Sequence, residues 1–200
     1  PNGEYAHNDP SILSVWEQYN IQKQSPIRMQ CLVTGVESSP ISLTHPTIWD
    51  LDPSQSFGGK LVSFNDPAYE SYGHELRNGT GQGLNAPVSE YAAFAYTTAL
   101  NHLICTKESH LKLGDDMLVF WAETAEPEYQ VAFSEWLNPR LVTDHFLYQT
   151  LSKIVAGSAI DIEGIQLSTP FNILCLSPST SRISVRYFLR DTFGQLANNI

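Results

Sequence analysis

The segment from Met117 to Ala122 consists entirely of apolar residues. A short apolar run of this kind is typical of a strand that is buried on both faces of a sheet. Residues 112 to 116 precede it and read as a turn, because they contain Gly114 and two aspartates. Two further strands are predicted from Phe171 to Ser177 and from Arg182 to Leu189, joined as a hairpin by the loop between them. The chain must therefore fold around a sheet.

The segment from Pro87 to Ile104 is rich in alanine and predicts the clearest helix. Pro87 suits a first turn, with Asn85 or Ala86 at the cap. Apolar residues cover so much of its circumference that we expect a central position. The predicted inward face comprises Val88, Ala92, Ala95, Ala99 and Leu103. Further helices are predicted over 11–19, 127–137, 143–156 and 192–200.

These elements predict an α+β fold, in which a mixed β-sheet packs against a central Ala-rich helix and long irregular loops connect the rest. We expect one domain over residues 1–200, with 30–125 and 140–200 as possible sub-lobes. A hairpin is predicted from strands at 29–34 and 41–43. Residues 44–83 contain many prolines and glycines, and only Lys60 to Phe64 reads as a strand there. Such a stretch predicts an exposed working surface.

The composition excludes several classes of protein. Hydrophobic residues make up 42% of the chain and charged residues 16%, which excludes a disordered acidic tail and a coiled coil. The net charge of -10 disfavours nucleic-acid binding by the surface as a whole. The three cysteines are far apart, which favours a reducing cytoplasm. Polar residues interrupt the most apolar stretch, 92–105, so no membrane span is expected.

Three arginines of the last predicted strand form the main candidate site. Strict alternation would place Arg182, Arg186 and Arg190 on one face, and Phe171 to Arg190 contains no acidic residue. Guanidinium groups match phosphate oxygens, and an aromatic residue beside them can stack on a base. The alternative is that these arginines pair with acids, for which the candidates are Glu123, Glu126 and Glu128.

Other candidate sites are weaker. Cys31 and His45 could form a nucleophile and base, and Asp115 with Asp116 could bind a divalent ion, so a cytoplasmic hydrolase is the rival function. Gly79 to Gly83 could hold an anion ahead of a helix, but it lacks the spacing of a nucleotide-binding motif. Five further histidines lack metal-ligand spacing: His7, His74, His102, His110 and His145. We predict no catalytic residues, no metal and no cofactor. A purely structural scaffold is a third reading.

Long, ordered segments of the chain resemble one known family. They are Cys31–Gly35 with Ile41–Pro46, Leu61–Asn65 through Gly73, Asn85–Glu90 through Asn101, Val119–Glu123, Leu176–Arg182 through Arg186, and Thr192–Gly194. These segments are similar to the large subunit of the type I-C, or Dvulg-subtype, CRISPR surveillance complex called Cascade. Members of that family are longer, so the chain resembles their middle portion.

The resemblance implies a non-catalytic subunit of a guide-RNA complex. Such a subunit would act with the other Cascade subunits, contact the crRNA indirectly, and bind target double-stranded DNA. It would also help to recognise the motif that flanks the target, stabilise the displaced strand and receive a helicase-nuclease. Pairing supplies sequence recognition in RNA-guided complexes, so one arginine face can suffice on an acidic subunit. The arginines 182, 186 and 190 are the predicted phosphate contacts.

Overall fold

The computed structural model describes residues 5, 8–51, 58–64, 67–69, 82–137, 165–179 and 182–198. They contain helices and antiparallel strands, which confirms the α+β class. The helices are α1 (Pro10–Lys23), α2 (Glu90–Cys105), α3 (Glu128–Leu137) and α4 (Phe193–Asn198). The strands are β1 (Arg28–Met29), β2 (Ser39–Pro40), β3 (His110–Leu113), β4 (Asp116–Ala122), β5 (Pro170–Ser179) and β6 (Arg182–Thr192).

Contacts within the chain group it into two compact units. Unit 1 comprises Pro1–Pro46 and Val62–Tyr96, and unit 2 comprises Thr47–Leu61 and Thr97–Ile200. The boundary along the chain therefore falls within α2. The single domain over 1–200 with sub-lobes at 30–125 and 140–200 stays a prediction.

Unit 2 contains a four-stranded sheet in the order β3-β4-β5-β6. Its four strands pair antiparallel, and a parallel bridge from Lys60 to Arg182 adjoins β6. The predicted buried strand lies inside the sheet as β4, between β3 and β5. The turn before it is shorter than predicted, because Gly114, at a φ of 61°, lets β3 run to Leu113 and β4 begin at Asp116.

One face of this sheet carries an aromatic core. Phe120 of β4 lies with its ring centroid 4.8 Å from that of Phe133 in α3 and 6.3 Å from that of Phe171 in β5. Alternate residues of a strand share a face, so β4 directs Leu118, Phe120 and Ala122 into this core. The cluster also contains residues of α3 and α4 and none of α2. The helix that covers this face is therefore α3, which the sequence predicted correctly in extent, and not the Ala-rich helix.

The Ala-rich helix α2 begins three residues later than predicted. The carbonyls of Pro87 and Val88 accept hydrogen bonds from the amides of Leu32 and Ser42, at 2.9 Å each, which holds this segment extended. Ser89 is the cap instead, because its Oγ accepts a hydrogen bond from the Ala92 amide at 3.2 Å. A neighbouring segment of the fold thus decides where the helix starts.

The buried stripe of α2 is rotated from the predicted one. It consists of Ala92, Ala93, Thr97, Leu100 and Ile104. Ala95 and Ala99 are exposed, and Tyr91 and Phe94 are 75% and 63% exposed. The helix therefore buries one stripe only, and the prediction of a central helix is wrong for the described residues.

The hairpin predicted near the start of unit 1 exists but is shorter. Strand β1 pairs with β2 in the register Arg28 to Pro40 and Met29 to Ser39. Residues 31–34 form a turn because Gly35, at a φ of 70°, donates its amide to the Cys31 carbonyl at 2.8 Å. The predicted strand 41–43 is reduced to a bridge between Ile41 and Ser89.

Helix α1 matches the predicted first helix and extends it. Asp9 caps it, because its side chain accepts a hydrogen bond from the Ser11 amide at 2.8 Å. None of its residues is buried against the described part of the chain. No helix within the described ranges is long and apolar enough to cross a membrane.

Two other predicted elements have different outcomes. Lys60 to Phe64 does not form a strand: Gly59 bridges to Ile48, Lys60 bridges to Arg182, and the following residues leave the pairing. The helix predicted over 143–156 lies outside the described residues.

Replacing Phe120 by alanine tests the aromatic core. Because Phe120 is fully buried among other rings, we expect Phe120→Ala to lower the free energy of unfolding by about 3–5 kcal/mol. Phe94→Ala removes the same atoms from a side chain that is 63% exposed, and is the matched control. Urea denaturation of both variants measures the difference. Equal losses would contradict the described packing.

Candidate nucleic-acid interface

The three predicted arginines all lie on β6, which is the last strand of the sheet. Within the described ranges β6 pairs with β5 alone, apart from the bridge between Lys60 and Arg182. All residues from Ser184 to Asp191 are exposed. The strand is therefore an open edge that carries cationic and aromatic side chains.

A β-bulge changes the predicted geometry of this edge. Cys175 pairs with Tyr187 and Leu176 pairs with Val185, so Arg186 is an extra residue between them. A bulge of this kind interrupts strict alternation. Arg182 pairs with Ser179 and Arg190 pairs with Asn172.

The bulge separates two of the arginines. Because Ser179 and Asn172 are an odd number of residues apart on β5, they lie on opposite faces. Their partners Arg182 and Arg190 therefore lie on opposite faces as well. The prediction of one arginine face is wrong, and its physical reason is a single inserted residue.

Arg190 is held by a carboxylate. Its Nε donates to Glu123 Oε1 at 2.7 Å and its Nη2 donates to Glu123 Oε2 at 3.0 Å. Asn172 Nδ2 donates to the same Oε1 at 3.2 Å. The hydrogen bond from Arg190, followed by that from Asn172, lowers the pKa of Glu123 to about 2. For this arginine, pairing with Glu123, the alternative predicted from the sequence, is confirmed.

The other two arginines are placed differently. Arg186 Nη2 donates to Ser177 Oγ at 3.3 Å, and its Nε lies 4.0 Å from Asp116 Oδ1. The Arg186 side chain is 61% exposed, so this long ion pair leaves it open to solvent. Arg182 lies beside the bridge to Lys60, where the Ile183 amide donates to the Lys60 carbonyl at 3.0 Å.

An aromatic pair stands next to Arg190. The ring centroids of Trp121 and Phe188 are 6.3 Å apart, with 28° between the ring planes. Trp121 pairs with Asn172, and Asn172 pairs with Arg190, so the three side chains form one row across β4, β5 and β6. Sequence reasoning placed Phe188 beside the arginines but missed Trp121. Only the strand order brings Trp121 to this row, so no sequence signal could have found it.

The hydrolase candidates Cys31 and His45 are both buried, at 0% and 2% exposure. Cys31 Sγ accepts a hydrogen bond from the Ser89 amide at 3.2 Å, and His45 Nδ1 is 2.7 Å from Tyr96 Oη. Burial raises the pKa of the Cys31 thiol, but hydrogen bonds from Ser89 and Thr34 outweigh burial and lower this pKa to about 6. A thiol closed to solvent offers no access to a substrate, which counts against the hydrolase reading.

The structure describes only some residues of the remaining candidate sites. Asp115 lies exposed in the turn between β3 and β4, and Asp116 begins β4 beside Arg186. Gly79 and its two following residues lie outside the described part of the chain. His102 and His110 are described, whereas His7, His74 and His145 are not. Within the described ranges, no three histidine, cysteine or acidic side chains are grouped to hold a metal ion.

The chain matches the sequence model of a known protein family. The sequence model of the family described as "CRISPR-associated protein (Cas_Csd1)" matches residues 1–200. No curated protein matches the chain.

Glu123→Gln tests the ion pair that holds Arg190. The folded-state pKa of Glu123, about 2, lies below its ordinary value of 4.5. The pair therefore stabilises the fold above pH 4.5, and this contribution is lost as the pH falls through about 2. We expect the wild type to exceed the variant in free energy of unfolding at neutral pH, and the difference to shrink as the pH falls below 4.5. Denaturant titrations across this range measure it. A difference independent of pH would contradict the assigned pair.

Proposed function

The chain belongs to the CRISPR-associated Cas_Csd1 family, and from this premise we propose that it is a non-catalytic part of a type I-C Cascade complex that binds target DNA. Family membership makes it a Cascade-type subunit that acts with other CRISPR-associated subunits. In the proposed role it works in the cytoplasm, contacts the crRNA indirectly, contributes to flanking-motif recognition and stabilises the R-loop. A separate helicase-nuclease cuts the DNA.

The observation that carries the DNA-binding part is the open edge formed by β6. Its exposed residues combine Arg186 and Arg190 with Tyr187 and Phe188, and aromatic side chains with cations are what single strands and phosphates require. The rest of the chain is acidic, with a net charge of -10. DNA held only at this edge, inside a complex whose guide supplies most of the affinity, is compatible with that charge.

Arg186 is the best-placed phosphate contact of the three predicted arginines. Its ion pair with Asp116 spans 4.0 Å, so a phosphate can displace the carboxylate at small cost. Arg190 is held more tightly by Glu123, but the two bonds use two of the five N–H donors of a guanidinium. The remaining donors leave Arg190 able to bind a phosphate without losing Glu123. Arg182 remains a predicted contact on the opposite face.

The scaffold alternative is favoured by one observation, the bidentate pair of Arg190 with Glu123. If these arginines serve only to form ion pairs, replacing them lowers the stability of the fold and leaves DNA affinity unchanged. DNA affinity and stability are separate measurements, so the two readings can be told apart.

The family role is tested by purification of the intact protein from cells that carry the whole system. We expect it to elute together with guide RNA and the other CRISPR-associated subunits, because a Cascade-type subunit acts within a ribonucleoprotein. RNA sequencing and mass spectrometry of the eluted fraction measure this. A protein that elutes without RNA and without partner subunits would overturn the role.

Charge reversal on the two opposite edges of the sheet tests the DNA contact. In the assembled complex we expect Arg186→Glu to weaken binding of target DNA and to reduce the slope of log affinity against log salt by about 0.9. Lys112→Glu is the matched control, because Lys112 is exposed on β3 at the other edge. Filter binding across a salt series measures both. Equal affinity and slope in wild type and Arg186→Glu would remove Arg186 from the interface.

A further inference from the structure

The aromatic pair beside Arg190 has an open side. Phe188 is 54% exposed and Trp121 is partly exposed, so the pair is not part of the sealed core on the other face of the sheet. Phe188 and Arg190 are alternate residues on the regular part of β6, beyond the bulge at Arg186. The ring and the guanidinium therefore project from the same face.

The polar neighbours hold the guanidinium in place. Glu123 accepts two hydrogen bonds from Arg190. It accepts a third from Asn172 of β5, which is 3% exposed. A side chain that is already ordered loses less entropy when it binds a ligand. Arg190 is thus positioned beside the rings before any ligand arrives.

We propose that Trp121, Phe188 and Arg190, named here the stacking surface, bind an unpaired base of single-stranded DNA. The base stacks on the exposed ring of Phe188, and the adjoining phosphate accepts hydrogen bonds from Arg190. A base inside a duplex is covered on both faces by its neighbours and cannot stack in this way, whereas an unpaired base can. The inference rests on the proposed function, which supplies single-stranded DNA when the target duplex is opened.

Aromatic and arginine side chains also occur at the centres of protein interfaces. Two observations favour a nucleic acid here. The segment Phe171–Arg190 contains no acidic residue, and Arg190 keeps N–H donors beyond the two that bind Glu123. A phosphate beside a flat base uses both the donors and the ring. The experiment must therefore distinguish binding of DNA from binding of a protein partner.

The experiment separates the base from the phosphate. The complex, assembled with the intact subunit and guide RNA, is titrated with a short oligo-dT and with an abasic oligonucleotide of the same length. Phe188→Leu keeps an apolar side chain but removes the flat ring. We expect this variant to bind oligo-dT about tenfold more weakly and the abasic strand as the wild type does. Phe94→Leu, at a ring that is 63% exposed on α2, is the matched control and should change neither.

The outcomes are distinct. Arg190→Gln should weaken binding of both strands, because each carries phosphates. If Phe188→Leu weakens both strands equally, or neither, the base does not stack on Phe188 and the inference fails. Loss of a protein subunit from the Phe188→Leu complex would assign the surface to a protein partner and also overturn the inference. Target duplex binding by the wild-type complex is measured in parallel, and its absence would instead overturn the proposed function.

Discussion

The antiparallel pairing of β5 with β4 and β6 determines where the side chains of the candidate interface lie. Through these pairs Trp121, Asn172 and Arg190 become neighbours across three strands, of which β4 is distant in the sequence from β5 and β6. The same strands direct Phe120 and Phe171 to the opposite face, where α3 covers them. The sheet therefore has one face that is covered by α3. It also has one open edge, because β6 pairs with only one neighbouring strand among the described residues.

The charges at this edge are confined to a few arginines and the carboxylates that contact them. An acidic chain repels DNA over most of its surface, and in the proposed role a few arginines on one strand would give DNA a restricted place of contact. Glu123 lowers the net charge beside Arg190 while it orders the guanidinium, whereas Asp116 holds Arg186 only loosely. Contacts of this kind suit the proposed role, in which base pairing by the guide supplies the specificity.

Local signals predicted elements whose formation depends mainly on their own residues. The strands β4, β5 and β6 and the helix α3 were all predicted correctly in kind and nearly correctly in extent. Errors occurred where another segment competes for the backbone. Pro87 carries a helix-start signal, but its carbonyl bonds to the Leu32 amide, so Ser89 caps the helix instead. The stripe that α2 buries was also misassigned, because its residues are apolar on most sides and only packing selects a face.

The arginines show the division between sequence and tertiary structure most clearly. The sequence by itself determined that an acid-free, cationic and aromatic strand exists near residue 186, since composition and alternation need no partner. Its resemblance to a CRISPR-associated family also needed only the order of residues, and the family match confirmed it. Tertiary structure alone decided which faces the arginines occupy and which carboxylate each meets. The reason is physical: register is a property of two strands, and one bulged residue on β6 reverses every side chain beyond it.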